Sequence, residues 1–364
     1  MKIQDITAFL ENKAPLSLQE SYDNAGLLTG NASWECTGII TTLDATEDVV
    51  QEAIAHQCNL IVAHHPIIFG GLKKITGRNY VEKTVIAAIK NDIAIYAIHT
   101  NLDNVIGGVN ARIADKLGLV NCRILSPKNG LLKKLYTYVP VAQLDQLRDA
   151  LFAAGAGNIG HYDECSFNVE GEGTFRAGED TDPFVGEKGK RHQETEKKLE
   201  VIFEAWNEKK VLSALIRNHP YEEVAYDVVS LDNGYPSAGS GLIGELPQPA
   251  TEAAVLQRLK EAFGLHVIRH TPLKGKMLSK IALCGGAGSF LTGAAIGAGA
   301  DLYVTADVKY HEFFDANDRL VIADIGHFES EQFTIDLLAD LLSQKFPNFA
   351  IRKTGVKTNP VQYF

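Results

Sequence analysis

The feature that most constrains the fold is a short apolar run, residues 60–63, that ends abruptly in His64, His65 and Pro66. It follows a stretch of helical periodicity over 45–56, and such a run is typical of a buried parallel strand. Proline cannot continue the hydrogen-bond ladder of a central strand, so Pro66 fixes where the strand stops. Ligands of open α/β sheets bind at the carboxyl ends of the strands, where this pattern places the two imidazoles.

The histidine pair has two interpretations when it is taken alone. Neighbouring residues of a strand point to opposite faces, so one histidine could lie in the core and the other on the surface. Both could instead bind a metal ion from the strand end. The choice depends on which polar residues end the neighbouring strands.

Two further strands predicted in the first part of the chain also end in polar residues. Residues 39–44 end in Asp44, and residues 93–99 end in His99, which Asp103 follows shortly. Right-handed crossovers between parallel strands would bring these ends to one edge of a single sheet. A structural cap at the strand end is an equally good interpretation of Asp44.

The last part of the chain repeats this pattern in a diverged form. The strand predicted over 302–307 can be laid beside residues 58–65, and the strand over 320–324 beside residues 95–99. The two halves would therefore present polar strand ends of a similar kind.

Nine residues at or just beyond these strand ends form a set of nitrogen and oxygen ligands: His64, His65, His99, His311, His327, Asp44, Asp103, Asp307 and Glu331. Imidazole and carboxylate without thiolate suit zinc, iron, manganese or another divalent ion, and do not choose among them. His327 and Glu331 stand four apart at a helix start, so both can face the same side.

Carboxylates can bridge metal ions, so Asp103 and Glu331 are candidates to join two of them. Two ions a few ångströms apart lower the pKa of a bound water molecule and stabilise an oxyanion, which is typical of hydrolases. His99 and His311 are better explained as proton shuttles, or as residues that pack behind the ligands, than as ligands. Asp307 has the same alternative as Asp44, a structural cap.

The turn at 285–288, which is Gly-Gly-Ala-Gly between a strand and a helix, also has two interpretations. Its backbone N–H groups could cradle a phosphate. It lacks the lysine of a P-loop, and close packing of helix on sheet explains the glycines about as well.

The pattern changes in the middle of the chain. Residues 128–232 show the order β-α-β-β-α-β, which predicts a ferredoxin-like (α+β) domain inserted into an α/β chain. The predicted organisation is therefore a first α/β segment over 1–127, the insert, and a second α/β segment over 233–364.

Composition excludes several classes of function. The net charge of −10 argues against a non-specific grip on nucleic acid or on an anionic membrane. No apolar run reaches the length of a membrane span, and Asp5 precedes any hydrophobic core of a signal peptide, so a cytoplasmic protein is expected. Five cysteines without paired spacing fit reduced thiols.

The motifs 64–66, 99–103, 307–311, 326–331 and 359–361 resemble the type 2 GTP cyclohydrolase I homologues, also called NIF-three-like or dinuclear-metal-centre proteins. The resemblance implies that the two α/β halves form one NIF-three-like unit. It also implies that two divalent cations are bound by five residues: His64, His65, Asp103, His327 and Glu331. A toroidal homohexamer is implied too, with the sites facing an internal cavity.

The middle segment is similar to the PII or CutA type of insert that longer bacterial members carry. Residues 218–223 resemble the hallmark of that insert, although Val224 stands where a proline would be usual.

Two hypotheses of function follow. In the first, the protein is a metal-dependent hydrolase that acts on a nucleotide-like substrate. In the second, it is a non-catalytic metal-binding or regulatory hexamer whose insert senses a small molecule. The sequence does not decide whether the protein is an enzyme.

Overall fold

The computed structural model describes residues 1–364, which divide into two compact units. The larger unit consists of Met1–Pro127 and Ser237–Phe364, and the insert consists of Lys128–Pro236. The insert thus extends four residues beyond the end predicted for it. None of the helices has the length and apolar character needed to cross a bilayer.

The chain forms fifteen strands and eleven α-helices. The strands are β1 Gly26–Thr29, β2 Ile39–Asp44, β3 Leu60–His65, β4 Ala94–Ala97, β5 Val120–Lys128, β6 Leu132–Pro140, β7 Ser166–Arg176, β8 Arg191–Glu204, β9 Tyr226–Leu231, β10 Tyr235–Thr251, β11 Arg269–His270, β12 Met277–Ala287, β13 Leu302–Ala306, β14 Val321–Asp324 and β15 Ile351–Lys353. The helices are α1 Ile3–Lys13, α2 Glu47–Ala55, α3 Tyr80–Lys90, α4 Thr100–Asp103, α5 Val109–Leu117, α6 Leu144–Ala153, α7 Glu208–Asn218, α8 Glu252–Phe263, α9 Thr292–Gly297, α10 His327–Glu331 and α11 Thr334–Lys345.

The larger unit contains two sheets of similar organisation. The first has the order β1-β4-β3-β2-β15, and the second has the order β11-β14-β13-β12-β10-β5. In each, three parallel strands occupy the centre, and an antiparallel strand, β1 or β11, flanks them on one side. This confirms the α/β class with two similar halves.

Two strands place parts of one half in the sheet of the other. β15, near the end of the chain, pairs in parallel with β2, and β5 lies in the second sheet at the edge beside β10. These pairings, and the long strand β10, were not predicted from the sequence.

A shared apolar core joins the two halves of the larger unit. It combines side chains of the first half, among them Ile39 and Tyr96, with side chains of the second, among them Leu283 and Leu338. Burial of apolar area on this scale is the main stabilising term of a fold. The strand ends of both halves are thereby held in fixed positions.

The insert forms a four-stranded antiparallel sheet in the order β7-β8-β6-β9. Helices α6 and α7 cover one face, where Leu151 and Leu215 pack on strand residues such as Leu199 and Val201. The order along the chain is β-α-β-β-α-β. Because strand residues alternate, Glu196 and Lys198 lie on the other face.

Candidate metal centre

The ends of β2 and β3 and two short helices, α4 and α10, bring the polar residues of the two halves together. Asp44 and His65 are register partners at the ends of β2 and β3. Asp103 lies in α4, just beyond β4, and α10 begins at His327 one turn before Glu331. All of these residues line one cleft of about 950 Å³.

Three atoms form what we call the buried half-site: His64 Nε2, Asp103 Oδ1 and Glu331 Oε1. The imidazole nitrogen lies 3.6 Å from the Asp103 oxygen and 3.9 Å from the Glu331 oxygen. His64 Nδ1 lies 2.8 Å from the carbonyl oxygen of Ile98, which can only accept a hydrogen bond. Nδ1 therefore carries the proton, and Nε2 faces the carboxylates with a free lone pair.

Three other atoms form the open half-site: His65 Nε2, His327 Nε2 and Glu331 Oε2. The carboxylate oxygen lies 3.0 Å and 3.1 Å from the two imidazole nitrogens, which are 3.3 Å apart. Each Nδ1 is held by a carboxylate, His65 by Asp44 at 2.8 Å and His327 by Asp307 at 2.7 Å. The two oxygens of Glu331 thus serve different half-sites, as in a bridging carboxylate.

The charges of the buried half-site are poorly compensated by the protein. Burial lowers the pKa of His64 to about 3, so this imidazole is neutral at physiological pH. Burial raises the pKa of Asp103 well above its usual range, and the negative charge of Glu331 raises it further. A cation between these groups would remove both penalties.

In the open half-site, the imidazoles and carboxylates are joined by hydrogen bonds that favour protonated imidazoles. Burial would lower the pKa of His65, but hydrogen bonds to Asp44 and Glu331 raise it to about 10. Burial would also lower the pKa of His327, but the hydrogen bond to Glu331 raises it to about 9. A divalent cation competes with such protons for the same lone pairs.

Two buried atoms test whether the residues fit a metal ion. His64 Nε2 and Asp103 Oδ1 have no hydrogen-bond partner, although a buried polar atom without one is destabilising. Both belong to groups of three ligand atoms that lie within 4.8 Å of one another. Imidazole nitrogen and carboxylate oxygen suit a divalent first-row ion, so the cluster could hold a metal ion.

The glycine turn is explained by close packing. Gly286 has φ +61°, and a Cβ on it would lie 2.3 Å from Glu331 Oε1. The N–H groups of Gly285 and Gly286 donate to Asn110 and Ser330. Since both N–H groups have partners within the protein, neither is free to bind a phosphate.

The two histidines expected to act beside the ligands lie in different surroundings. The ring of His99 is 5.3 Å from the rings of His64 and His65. His311 is exposed, contacts Tyr310, and does not line the cleft.

The chain direction after β13 explains the position of His311. Asp307 adopts a positive φ of +53°, and the chain then enters a 3₁₀ helix, Tyr310–Ala316. The expectation that His311 joins the cluster is therefore not met within this chain.

Three acids support the cluster through its histidines. Asp23 accepts hydrogen bonds from Thr100 and lies 2.8 Å from His99 Nδ1. Asp44 and Asp307, expected as ligands or caps, hold imidazoles instead. The turn that contains Asp23 is polar and precedes a glycine, which is the only signal in the sequence that points to it.

An aromatic pair extends from His99 toward solvent. The Phe69 ring lies 5.9 Å from the His99 ring, and the exposed Tyr22 ring stacks on Phe69 at 6.2 Å with an interplanar angle of 26°. Both aromatic residues line the cleft. The cleft therefore has an apolar wall beside its polar floor.

Comparisons with known proteins agree over nearly the whole chain. Residues 1–360 match the model of a family described as Duf34/NIF3 (NGG1p interacting factor 3). A protein of Halalkalibacterium halodurans named GTP cyclohydrolase 1 type 2 homolog is 39% identical over 365 residues, 99% of this chain and 98% of that protein. One of the same name from Staphylococcus epidermidis is 35% identical over 369 residues, all of both chains.

Solved structures lead to the same result. The crystal structure of a Bacillus cereus protein related to NIF3 has a TM-score of 0.86 and 36% identity, and the match covers 100% of this chain and 99% of that chain. That of the Staphylococcus aureus protein SA1388 has a TM-score of 0.79 and 29% identity, with the same coverage.

Proposed function

Because this chain belongs to the Duf34/NIF3 family, we propose that it is a divalent-metal-dependent hydrolase that acts on a nucleotide-like substrate. The observation that carries the proposal is the pair of buried, unpartnered atoms, His64 Nε2 and Asp103 Oδ1. The name GTP cyclohydrolase 1 type 2 homolog, given to relatives, supports the reaction class.

Two divalent cations, of zinc, iron or manganese, would occupy the cluster. His64 and Asp103 would hold one ion, His65 and His327 the other, and Glu331 would bridge them. Such ions lower the pKa of water and stabilise the charge that develops on a substrate oxygen. The Nδ1 partners orient the imidazoles, a role that outer residues commonly play at metal sites.

His99 is the residue that would move the proton. Asp23 holds its Nδ1, and one of its ring nitrogens lies within 4.8 Å of the ligand nitrogens of His64 and His65. Only 14% of the His99 side chain is exposed, so a proton on it is sheltered from bulk water. A positioned imidazole of this kind typically contributes about a hundredfold or more to rate.

Tyr22 and Phe69 support a substrate with an aromatic base. A planar base could stack on these two rings at the mouth of the cleft, and little conformational entropy would be lost because the rings are already stacked on each other. The anionic part of a nucleotide would then reach the cations on the floor of the cleft.

Metal content is the first test of this proposal. Elemental analysis should find two divalent cations per chain in the wild type and none in Glu331→Ala, because that variant removes one ligand oxygen from each half-site. Glu329→Ala is the matched control, since it removes a carboxylate of the same helix α10 outside the two half-sites. No bound cation in the wild type would contradict the proposal.

Turnover is the second test. Metal-loaded protein incubated with GTP should release formate, and His65→Ala should not. Equal release by both proteins would reject the cyclohydrolase version of the proposal.

The assembly proposed is a homohexamer in the cytoplasm. Sedimentation should give six times the chain mass of 39.7 kDa. A regulatory hexamer without catalysis is the second candidate. It is favoured by a cavity of about 660 Å³ that is lined by residues of the insert alone. Deletion of the insert should then leave metal content unchanged and abolish a regulated response, whereas loss of metal would make the insert structural.

A further inference from the structure

A second cavity, of about 660 Å³, lies entirely within the insert. It is formed on the face of the sheet that the helices do not cover, beside Glu196 and Lys198 of β8. Strand β7 has glycine at positions 171 and 173, and a Cβ on Gly171 would meet no atom within 4 Å. The absence of side chains here leaves room for an occupant.

Three aromatic rings surround part of this cavity. The Tyr221 ring lies 6.3 Å from the Phe175 ring and 6.3 Å from the Phe184 ring, with interplanar angles of 53° and 54°. The three tilted rings form a partial box rather than a flat stack. The face of an aromatic ring carries a negative electrostatic potential, so a cation that meets any of these faces is attracted to it.

A buried carboxylate also lines the cavity. Glu196 is 9% exposed, and its Oε1 accepts a hydrogen bond from the Tyr221 hydroxyl at 2.7 Å. Its Oε2 makes no hydrogen bond. That oxygen lies against β7 where a Cβ on Gly173 would be 2.1 Å away, so glycine at this position is what admits the carboxylate. A carboxylate that no protein cation pairs with, and that has one oxygen still free to accept, favours a positively charged ligand.

The balance of charge around the cavity is negative. Five glutamates line it, of which Glu170 is paired with Lys197 at 2.9 Å, against Arg176 and Lys198. Lys198 Nζ lies 3.2 Å from Glu200 Oε1 and 4.3 Å from the centre of the Tyr136 ring, so its charge is already engaged. Arg176 is exposed. Neither cation is hydrogen-bonded to Glu196.

We propose that this cavity binds a small organic cation, whose ammonium group lies among Phe175, Phe184 and Tyr221 and is neutralised by Glu196. Aromatic boxes with a nearby carboxylate recognise quaternary and primary ammonium groups by cation–π attraction and charge. The site is independent of the metal cluster, and its test does not depend on hydrolase activity.

The test is calorimetric titration of the full chain with choline, and with the uncharged analogue of choline in which carbon replaces nitrogen. Choline should bind, and the analogue, which has the same shape, should bind about tenfold more weakly or not at all. Glu196→Gln keeps the shape and an oxygen for Tyr221, and should weaken choline binding about tenfold. Phe184→Ala, at a ring that is half exposed, should weaken it severalfold.

Gly171→Leu would fill the cavity without changing any ligand-facing group, and should abolish binding. Phe167→Ala, an exposed ring on the same strand outside the cavity, is the matched control and should bind choline as the wild type does. Equal binding of choline and its analogue would make this an apolar cavity and overturn the proposal. Unchanged binding in both Glu196→Gln and Phe184→Ala, or no binding by the wild type, would overturn it as well.

Discussion

The two half-sites share Glu331 but are supported in different ways. In the buried half-site, the His64 side chain has no exposed surface, and a backbone carbonyl holds its ring. In the open half-site, 38% of the His327 side chain is exposed, and it is held by Asp307, of which 54% is exposed. One half-site is positioned by the sheet itself and the other by side chains at the surface.

This difference has a consequence for the proposed cations. A ligand held by backbone inside the core loses little conformational entropy when it binds metal, whereas an exposed ligand and its exposed partner must both be ordered. We therefore expect the buried half-site to keep its ion longer than the open half-site does.

The largest effects are expected from the imidazoles themselves. His327→Ala should lose one cation per chain and keep the other, and the wild type should release its cations to a chelator in two phases. His64→Ala should lose the slowly released cation, because it removes the only imidazole of the buried half-site. Elemental analysis during dialysis against a chelator measures both.

His270→Ala is the matched control for these variants, since this imidazole lies on β11 and does not line the cleft. Release of both cations at one rate, or loss of both from His327→Ala, would show that the half-sites are a single unit.

The next largest effect concerns the partner of the open half-site. Asp307→Asn removes the charge that holds His327. It should lower the affinity of the open half-site for its cation about tenfold to a hundredfold. The slowly released cation should be unaffected. A competition titration with a metal indicator resolves the two affinities, and Asp315→Asn, an exposed acid nearby, serves as the control. Equal weakening at both half-sites would contradict the distinction between them.

Much of the cluster could be predicted because polar residues interrupt apolar strands at definite points. The ends of β2 at Asp44 and of β3 at His65 lie where the pattern placed them. The family resemblance, which rests on these motifs, is confirmed by the match over residues 1–360.

Features that depend on tertiary approach were not predictable in this way. The carbonyl of Ile98 and the turn at Asp23 meet the cluster only through the packing of distant segments. Gly286 is explained by a carboxylate that approaches it from another element. For His311, the strand end was foreseen, but the direction of the chain beyond it depends on one positive φ at Asp307.

A smaller effect, on stability and its pH dependence, is expected at Asp23. Burial would raise its pKa, but hydrogen bonds from His99 and Thr100 lower it to about 2. Because this value lies below that of an unfolded chain, the ionised carboxylate stabilises the fold above pH ~4, and the contribution is lost as pH falls through ~2. Asp23→Asn should cost up to about 2 kcal/mol near neutral pH.

Urea unfolding of the metal-free protein at about pH 6 and about pH 3 measures this difference. The difference in unfolding free energy between wild type and Asp23→Asn should be smaller at the lower pH. Asp180→Asn, which changes an exposed acid of the insert, should unfold like the wild type at both pH values. A difference of equal size for Asp23→Asn at both pH values would mean that the carboxylate does not act through its charge.

The smallest effect is expected at Asn79, the residue immediately before α3. It lies at the end of the loop that follows β3 and His65. Its side chain accepts a hydrogen bond from the N–H of Glu82, and Asn79→Ala should cost about 1 kcal/mol in unfolding free energy. Asn79→Ser should restore much of it, because serine also caps a helix and places no second carboxylate beside Glu82. Since β3, rather than this segment, positions His64 and His65, cation release from either half-site should stay at the wild-type rate. Faster release from the open half-site alone would show that the segment after β3 supports His65, and the difference between the half-sites would then extend to this loop.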